Sequence, residues 1–177
     1  MSFFRVETTP LSAVAMESLF REHAPFLSRS VSRLLGPGAP VEDILQQCFL
    51  IAWERRDRLT DPTGMRTWLY RTCVHLVAHE RRSFARRARL KVKFSATREA
   101  ADGADELVEQ RRVATRVAVV VAAMPLKLRE VFVLYEMEGL SASEIALLIG
   151  VSQGTIWRQA HFARAHFQRC WQAETDE

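Results

Sequence analysis

The strongest constraint on this chain is the punctuation of residues 125–167. PLKLREVFVLYEMEGL is followed by SASEIALLIG and then by VSQGTIWRQAHFARAHF. Pro125 suits the first turn of a helix, where its missing N–H has no intrahelical partner to lose. Gly139 can take the left-handed conformation that ends a helix. Ser141 and Glu144 have the S-x-x-E spacing of a capping box, in which side chain and backbone satisfy each other's orphan groups. Gly150 and Val151 make a short turn before Ser152, a second capping residue. The stretch is predicted to be a helix, a tight turn and two more helices.

The last of these helices has an unusual surface. At 100° per residue, Ile156, Ala160, Ala163 and Phe167 form one narrow apolar stripe. Thr155, Trp157, Arg158, His161 and Phe162 occupy the other side, flanked by Gln153 and Arg164. A short helix, a tight turn and an exposed helix carrying Arg, Gln and Thr form the helix-turn-helix pattern. Its second helix fits the major groove, where Arg and Gln read base edges. An ordinary amphipathic helical hairpin would share the spacing but not require those side chains.

Upstream, a helical pattern runs from Ala13 to Leu35, with Pro25 expected to kink it or start a new turn. Gly36-Pro37-Gly38 and Pro40 break the chain. A helix from Val41 to about Arg58 turns Val41, Ile44, Leu45, Cys48 and Ala52 inward. It turns Asp43, Gln46, Gln47, Leu50 and Glu54 outward. An apolar Leu50 ringed by polar residues suggests a partner surface, although one exposed Leu is also ordinary. After a loop at 60–64, a long helix begins near Met65, with Leu69, Cys73, Leu76 and Phe84 inward. Arg71, His75, Ala78 and Arg82 lie opposite. From Arg81 to Lys93 the chain is one-signed: Arg81, Arg82, Arg86, Arg87, Arg89, Lys91 and Lys93, without an acidic residue. Such a run repels itself and fits a phosphate-binding surface.

Residues 94–106 turn small, polar and acidic and read as a flexible linker. The expectation is an all-α chain of two small helical domains, 13–93 and 107–170. Val117–Val121 favours a strand by propensity, but a lone strand would have no partner. A net charge of +4 permits an anionic partner. The longest apolar run, 117–124, is far short of the roughly 20 residues a bilayer needs. The chain opens without a secretory signal. Its three widely spaced cysteines, Cys48, Cys73 and Cys170, fit a reducing cytoplasm.

The segments EDILQQCFLIAW (42–53), RTWLYRTCVHLVAHERR (66–82), MPLKLREVFVLYEMEGLSASEIALLIGVSQGTIW (124–157) and ARA (163–165) resemble, in order and spacing, bacterial sigma factors of the two-domain extracytoplasmic-function type. The resemblance implies two surfaces on the first domain, sigma region 2. Asp43, Gln46, Gln47, Leu50 and Glu54 would grip the clamp helices of the largest RNA polymerase subunit. Asp61, Gly64, Met65, Arg66, Arg71, His75, Arg82 and Arg86 would capture and melt the promoter −10 element. In the second domain, sigma region 4, Gln153, Thr155, Trp157, Arg158, His161 and Arg164 would read the −35 element. The implied partners are core RNA polymerase, through clamp helices and flap, promoter DNA and an anti-sigma factor, often membrane-bound. No small-molecule ligand, cofactor or metal is implied.

Four residues depart from that family's usual pattern. His75 and His79 stand where Asn and Asp are common, Trp157 where a basic residue is common, and Gln159 where Arg is frequent. The cations lost at Trp157 and Gln159, with Arg158 on the groove face, imply a changed −35 preference, with Trp157 against a sugar or thymine methyl, or packed on the neighbouring helix. Two other readings stay open: a sigma-like mimic that sequesters an anti-sigma factor, and a plain helix-turn-helix regulator. An enzyme fits least. His75 and His79 are spaced to share a metal, but HERRS lacks the second His of H-E-x-x-H, and no nucleophile sits beside a base.

Overall fold

The computed structural model describes residues 12–59, 64–91 and 106–173, with side chains described outside 83–109. The described residues form helices and turns, with no strand among them. The all-α expectation holds. Asp61, the 94–105 segment and the side chains of Phe84 and Arg86 lie outside the described residues.

Helix α1 spans Ala13–Leu35, capped by Ser12, whose hydroxyl accepts from the Ala15 N–H at 3.2 Å. It runs through Pro25 without the expected break. Pro25 and Arg21, whose carbonyl loses its i+4 donor there, are both exposed. At an exposed position the freed carbonyl is open to hydration, so the helix tolerates the proline. Helix α2 spans Val41–Glu54, with Glu42 and Asp43 in the first turn, where carboxylates favour the positive helix end. It stops before the expected Arg58, and residues 55–58 form turns. Helix α3 spans Met65–Lys91. Leu27, Val31, Leu34, Ile44, Cys48, Ala52, Leu69, Cys73 and Val77 bury the seam between these three helices.

Helix α4 spans Glu106–Ala123 and absorbs the valine run, because Val120 and Val121 find helical neighbours to bury against. Helix α5, Leu126–Phe132, continues into a π-helical turn, Val133–Met137, that the sequence reading did not anticipate. Helix α6, Ala142–Ile149, carries the expected capping box and ends on Gly150 in the left-handed conformation, φ 88°. Helix α7 spans Gln153–Ala173. Its Ile156, Ala160 and Ala163 are buried, and Phe167 stacks on Phe132 at 4.9 Å between centroids.

The two groups of helices pack against each other, α1 on α4 and α5, α3 on α6. Each group completes a helix end of the other. Arg71 of α3 donates through Nε to the Leu148 carbonyl at 3.0 Å and through Nη2 to Leu147 at 3.1 Å. These carbonyls end α6 and have no intrahelical donor to accept from. Arg129 of α5, fully buried, donates in turn to the carbonyl of Leu34 at the end of α1, and to Met124 at 2.9 Å. Glu138 closes the seam with Arg29 at 3.3 Å and with Arg33.

Candidate nucleic-acid interface

The exposed side of α7 is set by its buried one. With Ile156, Ala160 and Ala163 fixed against α5 and α6, Gln153, Trp157, Arg158, His161 and Phe162 must face solvent, and all are exposed. Trp157 is 61% exposed, which removes the alternative that it packs on a neighbouring helix. Thr155 is half-buried. Its N–H donates to the Ser152 hydroxyl at 3.2 Å and its own hydroxyl lies 2.9 Å from the same oxygen. It therefore builds the helix start before it offers anything to a groove. Arg164 is engaged as well: its Nε donates to Glu136 at 2.5 Å and its guanidinium lies over the Tyr135 ring. The π-helical turn presents both of these partners.

At the start of α6, Ser141 accepts from the Glu144 N–H at 3.3 Å and the Glu144 carboxylate accepts from the Ser141 N–H at 2.8 Å. The Ser141 hydroxyl and N–H hold the Glu144 carboxyl below the usual carboxylate range.

On the first group, Asp43, Gln46, Gln47, Leu50 and Glu54 form the outer face of α2, and all are exposed. Leu50, 57% exposed, is not isolated. Phe20 packs edge-on against Phe49 at 4.7 Å, and Trp53, also exposed, lies under Arg56 at 4.6 Å. The apolar surface thus includes Phe20 and Trp53, which sequence reasoning missed. Trp53 lies one turn beyond Leu50 and was legible, whereas Phe20 comes from α1 and required the fold.

The basic face of α3 is more mixed than expected. Gly64, Arg66, His75 and Arg82 are exposed, with Arg66 over the Phe26 ring at 4.4 Å. Met65 is a correction. At 1% exposure it is a core residue, because its position opens α3 against Leu69 and the α1–α2 seam. Its side chain supports that surface from below. Arg71 is drawn to the α6 carbonyls. Between α2, α3 and α6 lies an open groove of about 940 Å³ lined by Gly64, Trp68, Arg71, Thr72, His75 and Leu147 among others. Trp68 is a third residue missed. It lies one turn before Arg71 and Thr72 and lines the groove together with Gly64.

No cluster of three metal-ligating side chains exists among the described residues. Cys48 and Cys73 are buried thiols. The neighbouring Cys48 thiol and burial push the Cys73 thiol far up, which is the behaviour of core residues.

The comparisons with known proteins agree with this layout. The family model for sigma-70 region 2 matches residues 19–88, and that for sigma-70 region 4 matches residues 115–167. The chain is 30% identical over 149 residues to the RNA polymerase sigma factor CarQ of Myxococcus xanthus, covering 83% of each. It is 28% identical over 155 residues to the ECF RNA polymerase sigma factor SigL of Mycobacterium tuberculosis, covering 85% of each. Among solved structures, CnrH in complex with the cytosolic domain of CnrY superposes with a TM-score of 0.64 at 24% identity, over 92% of this chain and 90% of that one. The sigma factor RpoE of Bartonella quintana, solved with the anti-sigma factor NepR, gives 0.64 at 19% identity, over 88% and 96%. At those identities the structural likeness concerns the fold.

Proposed function

The chain belongs to the sigma-70 family of RNA polymerase sigma factors, in its extracytoplasmic-function group, and from that premise we propose how its surfaces divide the work. It is an alternative sigma factor, which binds core polymerase and directs initiation at its own promoters. The division of labour runs between residues 13–93, the 94–106 linker and residues 107–170. The outer face of α2, with Leu50 at its centre and Phe20 and Trp53 at its margin, docks on the clamp helices of the largest subunit, and the second unit engages the flap. Apolar surface inside a polar rim is what a specific protein interface buries.

The observation that carries the DNA reading is the α7 surface: a buried Ile156–Ala160–Ala163 stripe leaves Gln153, Trp157, Arg158 and His161 exposed together. Arg158 supplies the bidentate donor that reads guanine, and Trp157 supplies an apolar face for a thymine methyl. Thr155 and Arg164 position this helix at its cap and its far side. On α3, Trp68, Arg71, His75, Arg82 and Arg86 meet the opened −10 strand, with Asp61, Gly64 and Arg66 around the captured base. Extruding a base costs a few kcal/mol. Phosphate contacts along the basic run from Arg82 to Lys93 offset that cost through counterion release.

The protein acts by binding and has no catalytic role of its own. It works in the cytoplasm, where core polymerase and promoters are. An anti-sigma factor is its expected antagonist, as NepR is for the Bartonella quintana protein. Transcription in vitro with purified core polymerase on promoters randomised at both elements tests the reading. Enriched transcripts with a shared −35 and −10 sequence are expected. Failure to bind core refutes it.

A further inference from the structure

Where the two helix groups meet, Arg81 and Arg129 line the same cavity. The cavity, about 390 Å³, is lined by Leu35, the Gly36–Pro40 loop, Glu80 and Arg81 of α3, Ala122 of α4 and Arg129 of α5. Arg129 is fully buried. Its two terminal nitrogens are committed to the carbonyls of Leu34 and Met124, and its Nε is buried with no protein acceptor. Arg81 has a buried Nη1, likewise without an acceptor. The two charges are close enough to oppose each other: burial, then the Arg81 charge, draws Arg129 down to about 10. Burial alone draws Arg81 down. Glu80, the one carboxylate on the wall, is itself engaged in an interaction.

Buried donors in native proteins are nearly always satisfied, and an exception signals an ion or a water. Two like charges, each with a buried N–H that has no acceptor, call for an acceptor that is also an anion. Guanidinium N–H groups make strong charge-assisted bonds to the oxygens of phosphate, as they do to those of a carboxylate. The cavity has the size of a small-ligand site, larger than one phosphate needs.

We propose that this cavity is an oxyanion site, in which Arg81 and Arg129 together bind a phosphoryl group. The group belongs to free inorganic phosphate or to a nucleotide whose remainder lies against Leu35, Pro37, Pro40 and Ala122. Because Arg81 comes from α3 and Arg129 from α5, the bound anion ties the two helix groups together.

The test uses the full chain, with inorganic phosphate, and with a nucleoside 5′-monophosphate and triphosphate, against chloride at matched ionic strength. Thermal unfolding reports binding, and the guanidinium Nε–H resonances of Arg81 and Arg129 report its place. Phosphate at tenfold above its Kd is expected to raise Tm by about 3–6 °C and to move the Arg129 Nε–H resonance. Arg81→Gln should abolish both effects while Arg81→Lys retains part of the Tm rise. A nucleotide binding at least about tenfold more tightly than phosphate identifies the nucleotide as ligand, and equal affinity identifies the free anion. A chloride response equal to that of phosphate overturns the proposal, and so does a phosphate response that survives Arg81→Gln. An unmoved Arg129 Nε–H would mean that water satisfies it, which also overturns the site. None of these readouts uses polymerase, so they stand apart from the sigma-factor assignment.

Discussion

Glu138→Gln perturbs the seam at an enclosed carboxylate. The Glu138 side chain is 5% exposed, and one carboxylate oxygen accepts from Arg29 while the other accepts from Arg33. A hydrogen bond to a charged group contributes a net ~1.5–3 kcal/mol. The Arg33 pair is partly enclosed and takes most of that value. Arg29 is 55% exposed at both reported 3.3 Å contacts, so solvent screening reduces its share to roughly 0.5 kcal/mol. Glutamine keeps the shape and one acceptor but loses the charge, so the expected loss is about 2 kcal/mol. For a chain of this size that lowers Tm by about 4–8 °C. Urea unfolding followed by circular dichroism gives the free energy, and a double-mutant cycle with Arg33→Met isolates the pair, with an expected coupling of about 1–2 kcal/mol. Small-angle scattering should find the wild type near the ~16 Å radius of gyration of a compact chain this long, with the variant larger. A coupling below roughly 0.3 kcal/mol, with unchanged scattering, would refute the view that this charge holds the two groups together.

Four further outcomes are expected. Ser141→Ala removes the capping box before α6 and should cost about 1 kcal/mol in thermal or urea unfolding. Leu50→Asp should abolish holoenzyme formation in a gel-shift or pull-down with core polymerase while changing stability by less than about 0.5 kcal/mol, since the site is exposed. Arg158→Ala should relax base preference at particular −35 positions by roughly 1–3 kcal/mol in a promoter competition assay; a uniform loss across sequences would reduce Arg158 to a phosphate contact. With a thiol reagent on the native protein, Cys170, half-buried near His166, should react before Cys48 and Cys73, which should wait for unfolding.

Much of the fold was legible because the decisive signals are local. The capping box of Ser141 and Glu144, the glycines at 139 and 150 and the stripe of Ile156, Ala160 and Ala163 each act within a few residues. They left the exposed face of α7 almost no freedom. What the sequence withheld depends on packing across the chain. Pro25 reads as a break, yet its solvent-facing position lets α1 continue. The valines at 117–121 favour a strand until Val120 and Val121 meet helices. The π-helical turn has no sequence signal of its own, and it moves Glu136 and Glu138 to where Arg164 and Arg33 can reach them. Met65 reads as a loop-side contact and proves to be core. Arg129 resembles any charged residue on an amphipathic helix until the end of α1 is seen against it.

The shared duty of Arg71 changes how its own mutants should be read. In the packed arrangement its guanidinium serves two α6 carbonyls, and in the proposed open complex it serves the melted strand. Donors occupied in one state must be withdrawn before they serve the other, so promoter binding gains only the difference between the two. An alanine at 71 therefore removes a stabilising interaction from the reactant and from the product at once. The measured change in affinity will understate the strength of the contact in either state. The kinetic record will be more candid, since opening should quicken and escape from the promoter should quicken with it.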